Sequence, residues 1–229
     1  MTTRLMTLTL AVVLSTAGLM AQENPDNSKA EYHKAFVENF DKATSKYFMQ
    51  RRDKRDEATD FRYFPGNVSL SEKGTDVLLY RIDPQDPAGA GRGPEIISKK
   101  YTSYGTYAAR IRIPDVKKVQ PNVGAVVGYF TYNMEPGKSL SEIDWEWLIA
   151  DPEIVYIGTW TGPRGNLQRI GRTINLAKGE ILYTIYRSGK DGNISHPLTG
   201  LQNQPETIPA IEGFNAAKQF YTYGFDWYP

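Results

Sequence analysis

The fold class expected from the chain is an all-β sandwich, and three observations predict it. Short runs of β-branched and aromatic residues recur between clusters of Gly, Pro, Asn and Asp, the spacing of a sandwich built from short strands. Helical periodicity is scarce over the 229 residues, which argues against a helical or alternating α/β architecture. The third observation is the segment Glu142-Ile143-Asp144-Trp145-Glu146-Trp147, in which three acids alternate with three large apolar side chains. A strand sends successive side chains to opposite faces, so every carboxylate falls on one face and Ile143, Trp145 and Trp147 point to a core.

Taken in order, the chain begins with Arg4, an apolar run from Leu5 to Met20, and Ala21-Gln22. A basic start, a short apolar stretch and a small residue before a polar region describe a secretory signal peptide, cleaved after Ala21. The run is short for a membrane span and contains Thr7, Thr9, Ser15 and Thr16. Residues 22–35 form a polar segment, and residues 36–229 form one domain. Phe36–Phe40 alternates as a first strand should. Further strands are expected at Val68–Leu70, Val77–Ile82, Glu95–Lys99, Gly105–Ile113, Val123–Tyr132, Glu142–Leu148 and Ile154–Trp160. Asp83–Pro94 and Gly189–Gly213, both rich in Gly and Pro, read as loops.

Composition narrows the function classes. A 40% hydrophobic content suits one soluble domain with a sizeable core. The 27 basic and 26 acidic residues nearly cancel, which gives no footprint for a nucleic-acid partner. The charged stretch Gln50–Glu57 mixes both signs and reads as solvated surface. Cysteine is absent, so no disulfide framework supports an exported domain. His33 and His196 are isolated and lack metal-ligand spacing. No nucleophile elbow or phosphate-cradling glycine loop is present.

The acid strand carries the chemistry. Same-face neighbours lie roughly 6.7 Å apart along a strand, so three acids with no interleaved Lys or Arg repel one another unless a function uses them. Paired carboxylates of unequal proton affinity are what glycosidic bond hydrolysis requires.

Further segments join that strand in resembling glycoside hydrolase family 16. Phe36–Asp41 (FVENFD) is similar to the family's opening strand, and Ile96–Pro114 (IISKKYTSYGTYAARIRIP) to its Tyr-rich region. Phe214–Pro229 (FNAAKQFYTYGFDWYP) resembles the segment ending in Phe-His-Thr-Tyr-x-x-Asp-Trp-x-Pro, with Tyr221 where histidine is usual. The resemblance implies a curved β-sandwich of jelly-roll type with a carbohydrate cleft on its concave face. The family pattern continues past Asp226-Trp227 with further strands, so the domain is expected to lack its C-terminal ones.

By this resemblance Glu142 is the nucleophile and Glu146 the general acid/base, with Asp144 between them to raise a neighbour's proton affinity and orient the nucleophile. Trp160 matches a cleft aromatic, and Glu95 matches a substrate-binding Glu of the mixed-linkage glucanases, although Ile97 replaces an Arg found nearby. Tyr129 and Tyr132 are each candidates to face the cleft, and Trp227 falls near it in the family. Trp145 and Trp147 are expected in the core.

The strand lacks the extra residue that precedes the second Glu in members acting on β-1,3-glucans, agars and carrageenans. It resembles the mixed-linkage β-1,3-1,4-glucanases, the xyloglucan-active enzymes and the fungal wall transglycosylases. The expected activity is endo-hydrolysis of a β-glucan with retention, by a secreted or periplasmic monomer. The alternatives are a transglycosylase, a non-catalytic carbohydrate-binding module, or an inactive fragment on the same fold. No cofactor is required for catalysis. A structural calcium is compatible with the resemblance, but no ligands are assignable, and no membrane insertion is expected after signal cleavage.

Overall fold

The computed structural model describes residues 32–40, 42, 44–50, 59–63, 77–82, 95–115, 126–134, 137–190, 196–197 and 207–229. The expected signal peptide and the Val68–Leu70 strand lie outside them. The described residues form strands and turns with no α-helix, and two compact units divide between Ser103 and Tyr104.

The first unit pairs β1 (Phe48–Gln50) with β4 (Ile96–Ser98) and β2 (Thr59–Tyr63) with β3 (Leu78–Ile82), both antiparallel. The strand expected at Phe36–Phe40 does not form. The Glu38 side chain there accepts the Phe40 amide at 3.0 Å and also the Ser45 hydroxyl, and Phe40 adopts a φ of 55°. These local bonds turn the backbone away from a ladder. Phe36 instead stacks on Tyr47 with ring centroids 4.1 Å apart.

The second unit is a two-layered sandwich. One layer is the antiparallel pair β5 (Gly105–Ile111) and β12 (Tyr221–Trp227). The other comprises β6 (Val126–Asn133), β7 (Ser139–Leu148), β8 (Ile154–Pro163), β9 (Leu167–Asn175), β10 (Glu180–Gly189) and the two-residue β11 (His196–Pro197), in the order β11-β10-β9-β8-β7-β6. β5 and β12 pair from opposite ends of the unit and enclose the meander between them, the long-range connectivity of the jelly-roll class expected from the sequence.

Turn chemistry sets the hairpins. Pro163-Arg164-Gly165-Asn166 joins β8 to β9, with the Asn166 amide bonded to the Pro163 carbonyl at 2.9 Å. Gly165 has a φ of 86°, as the third position of a type II turn demands. Between β7 and β8, the Asp151 side chain accepts the Glu153 amide at 2.9 Å, an Asx turn that reverses the chain.

Alternation places the core. Trp147 from β7, Val155 from β8 and Ile174 from β9 meet Tyr223 from β12, with Ile113, Ile149, Phe214 and Ala216 completing the cluster. Trp147 and Val155 are wholly buried, each stabilising the fold by about 1.5–3 kcal/mol through removal of apolar surface from water. Tyr223 stands edge-on to Trp147 at 4.5 Å between centroids. Trp145 stacks on Trp147, and its indole N–H donates to the Gly224 carbonyl at 3.2 Å, tying the layers together. The core roles expected of both tryptophans are what the packing shows. The other face of β7 is thereby left to the acids.

Candidate active site

Strand register arranges the acid-bearing face in three rows. Glu142 stands between Tyr132 on β6 and Trp160 on β8, and Trp160 faces Arg169 on β9. Asp144 stands between Phe130 and Gly158, and Gly158 faces Gly171. Glu146 stands between Gly128 and Tyr156, and Tyr156 faces Thr173. Neither the β6–β7 nor the β7–β8 ladder contains a register shift. The Cα atoms of Glu142 and Glu146 are therefore about 13 Å apart, from four strand rises, and their side chains must lean together to act on one bond.

The glycines shape the floor. A Cβ on Gly158 or Gly171 would overlap the Tyr156 ring, so the phenol lies flat across both positions beside the middle acid. Tyr156 is 5% exposed, and burial raises its proton affinity. Its hydroxyl accepts a hydrogen bond from Arg169 Nε at 3.3 Å. The Arg169 guanidinium also lies 4.6 Å from the Trp160 ring centroid and 5.4 Å from that of Tyr156.

Burial raises the proton affinities of all three acids, and neighbouring carboxylates add to it at Asp144 and Glu142. Asp144 is 5% exposed, and its carboxyl is pushed up to about 8. Burial is the main cause; the charges of Glu142 and Glu146 and a hydrogen bond to Glu142 add to it, and Arg169 opposes it. Asp144 thus holds the proton of that hydrogen bond, with Glu142 accepting. Burial also raises Glu142, but the bond from Asp144 pulls it back. Glu146 is raised by burial, opposed by Arg169. The arrangement separates two outer carboxyls by environment: a hydrogen-bond donor favours the Glu142 anion, whereas the charge of Arg169 favours the Glu146 anion.

The candidate binding residues fall in different places. Tyr132 and Trp160 flank Glu142 on its own face. Tyr129 pairs with Trp145 and so points to the opposite face, where burial pushes its phenol up to about 12 and its ring lies 6.1 Å from that of Phe225. Trp227 is on the β12 surface that carries Tyr223, in ring contact with Tyr104 at 5.0 Å, on the core side of the sandwich rather than with the acids. Glu95 belongs to the first unit, half-buried beside β4.

Three residues that share the acid face escape a reading of the sequence alone: Phe130, Tyr156 and Arg169. Phe130 shares the parity of Tyr132, but only the β6–β7 register shows that this set faces the acids. Tyr156 and Arg169 depend on the β7–β8–β9 register, which the sequence leaves open.

Among the described residues, no group of three or more His, Cys, Asp or Glu side chains is placed to hold a metal ion. His33 packs edge-on against Phe36 at 5.1 Å, and its Nε2 accepts the Lys100 amide at 3.2 Å. No helix among the described residues is long and apolar enough to cross a membrane.

The model of one protein family, glycosyl hydrolases family 16, matches residues 55–185, more than half of the chain and the whole of the acid-bearing strand. No curated protein matches the chain. Among solved structures, a Bacillus licheniformis β-glucanase aligns with 20% identity and a TM-score of 0.43, over 85% of this chain and 69% of that one. A prokaryotic β-1,3-1,4-glucanase (lichenase) from a mouse hindgut metagenome aligns with 16% identity and a TM-score of 0.35, over 84% of this chain and 96% of that one.

Proposed function

The chain belongs to glycosyl hydrolases family 16 and is a glycoside hydrolase, and we propose that it is an exported endo-β-glucanase acting with retention through Glu142 and Glu146. The observation that carries this reading is the single acidic face of β7, where three half-buried or buried carboxyls are held in graded protonation environments.

In this reading Glu146, protonated, donates to the leaving glycosidic oxygen while the Glu142 carboxylate attacks the anomeric carbon. The Glu142–glycosyl ester and a free sugar hydroxyl result. Glu146, now ionised, takes a proton from water; the water oxygen replaces the Glu142 carboxylate at the same carbon and restores both groups. Asp144 keeps its proton through the cycle and donates to Glu142, steadying the anion that attacks and later departs. Retention asks for carboxyl groups about 5–5.5 Å apart, a distance that long Glu side chains can reach by converging over the small Asp144.

The unbroken register of β7 supports a β-1,4-containing glucan as substrate, because the unbulged pattern resembles enzymes of that class. Tyr132 and Trp160 beside Glu142, with Phe130 next to Asp144, supply rings on which pyranose C–H faces pack. Phe130 and Tyr132 are exposed enough to meet a ligand, at 43% and 58%. Export rests on the Arg4–Ala21 pattern, and a mature N-terminus at Gln22 is its check.

The test is reducing-sugar release from barley β-glucan, lichenan, laminarin and xyloglucan. Release of oligosaccharides from the first two, abolished in Glu142→Ala, is expected. Binding without hydrolysis would favour a carbohydrate-binding module, and transfer to sugar acceptors in place of water would favour a transglycosylase.

A further inference from the structure

We propose that Arg169 is the positioning residue of the acidic face, clamping the Trp160 and Tyr156 rings and setting a fixed positive charge beside Asp144 and Glu146. The role rests on the assignment of Glu146 as acid/base and extends it to a residue on a different strand.

Four features converge on this side chain. In register it faces Trp160, the partner of Glu142. Its guanidinium sits over the Trp160 ring at 4.6 Å and the Tyr156 ring at 5.4 Å. Its Nε donates to the Tyr156 hydroxyl at 3.3 Å. The row that it crosses between these aromatics is Gly158–Gly171, where any Cβ would strike the Tyr156 ring. Only a planar guanidinium can stack on two rings and aim an N–H at a phenol together; an ammonium supplies the charge without the plate.

Position and charge then act on the chemistry separately. As a clamp, Arg169 covers part of the Trp160 indole and fixes its plane, so a sugar beside Glu142 meets a ring of set orientation. As a charge, it favours the ionised forms of Asp144 and Glu146 and makes no resolved contribution at Glu142. Among the described strand residues, the titratable or charged groups on this face are Glu142, Asp144 and Glu146 from β7, Tyr132 from β6, Tyr156 from β8, Arg169 from β9, and Glu180, Tyr183 and Arg187 from β10. Among the described strand residues of this face, Arg187 is the other cation, lying one strand further from the acids and facing Arg169. Arg169 is therefore the basic group nearest in register to the acids.

The experiment compares wild type, Arg169→Met and Arg169→Lys in the full chain by two readouts. The first is carboxyl titration of the free protein by ¹³C NMR with labelled Glu and Asp. Arg169→Met is expected to raise the Glu146 midpoint by on the order of one pH unit, with Glu142 moving less, and Arg169→Lys to leave it near wild type. This readout stands whether or not any glucan is cleaved, so its failure is distinct from failure of the proposed function. The second is the pH profile on barley β-glucan. The alkaline limb should rise in Arg169→Met and stay in place in Arg169→Lys, whose KM should increase several-fold because lysine cannot clamp both rings. If Arg169→Met does not fold, the lysine variant decides: an unchanged KM, or an alkaline limb displaced without loss of charge, overturns the proposal. In folded Arg169→Met, a Glu146 midpoint equal to wild type overturns it as well.

Discussion

Trp160 faces Glu142 directly across the β7–β8 ladder, so the largest aromatic surface on the acidic face adjoins the carboxylate assigned as nucleophile. Cross-strand partners have Cβ atoms about 4.5–5.5 Å apart, so in the proposed reading the indole adjoins the sugar whose anomeric carbon Glu142 attacks. Trp160→Ala is therefore expected to lower kcat/KM on barley β-glucan by about tenfold or more, on the order of 1.4 kcal/mol of transition-state binding. Trp160→Phe should retain most of it. Steady-state kinetics on both variants, with melting curves to verify folding, checks this.

Asp144 ties activity to a cost in stability. Its folded-state carboxyl titrates at about 8, against an ordinary value of 3.8. A group raised on folding contributes stability that is fully present below its unfolded value and is lost as pH rises through the folded one. The melting temperature should accordingly fall as pH rises from about 4 to about 8 through this group. Asp144→Asn should flatten that fall and be the more stable protein at pH 8, by on the order of a few kcal/mol, while losing most hydrolytic activity. Thermal melts across pH, paired with activity, test both halves.

The glycine floor makes a graded prediction. Ala normally suits a strand better than Gly, yet at Gly158 and Gly171 its methyl would displace the buried Tyr156 ring. At Gly128 the same methyl meets only the Phe130 ring, at 3.2 Å, and that exposed side chain can move. Gly158→Ala and Gly171→Ala should each reduce kcat/KM well beyond Gly128→Ala, measured on one substrate under identical conditions.

On the opposite face, Trp147 carries stability rather than chemistry. It is wholly buried among Val155, Ile174, Phe214 and Tyr223. Trp147→Ala should cost about 3–5 kcal/mol, the range for removing a large buried aromatic, whereas Trp147→Phe should cost much less and preserve activity. Urea denaturation of both variants measures the difference.

These residues also show what could be read from the chain. The parity of Glu142–Trp147 alone separated acids from core, because strand alternation is a local property. Parity also places Phe130 with Tyr132 and apart from Tyr129. Which pair faces the acids depends on the β6–β7 register, set through a turn that parity does not determine. Trp160 and Arg169 met for the same reason: each is ordinary in sequence, and successive hairpin registers bring them together. Phe36–Phe40 alternated like a strand, but the Glu38 carboxyl captured its backbone and a local hydrogen bond prevailed over the pattern. Leu167–Asn175 and Glu180–Gly189 form strands that the apolar pattern did not announce, since polar residues such as Arg169 and Arg172 interrupt their faces.

The central claim is that Glu142 attacks sugar. Incubation of the protein with a 2-deoxy-2-fluoro β-glucosyl oligosaccharide bearing an activated leaving group should trap the ester, and peptide mass spectrometry should locate it. One glycosyl adduct on Glu142, absent from Glu142→Ala, is the result the account predicts. An adduct on another residue, or turnover of the unfluorinated substrate with inversion and no adduct, would contradict it.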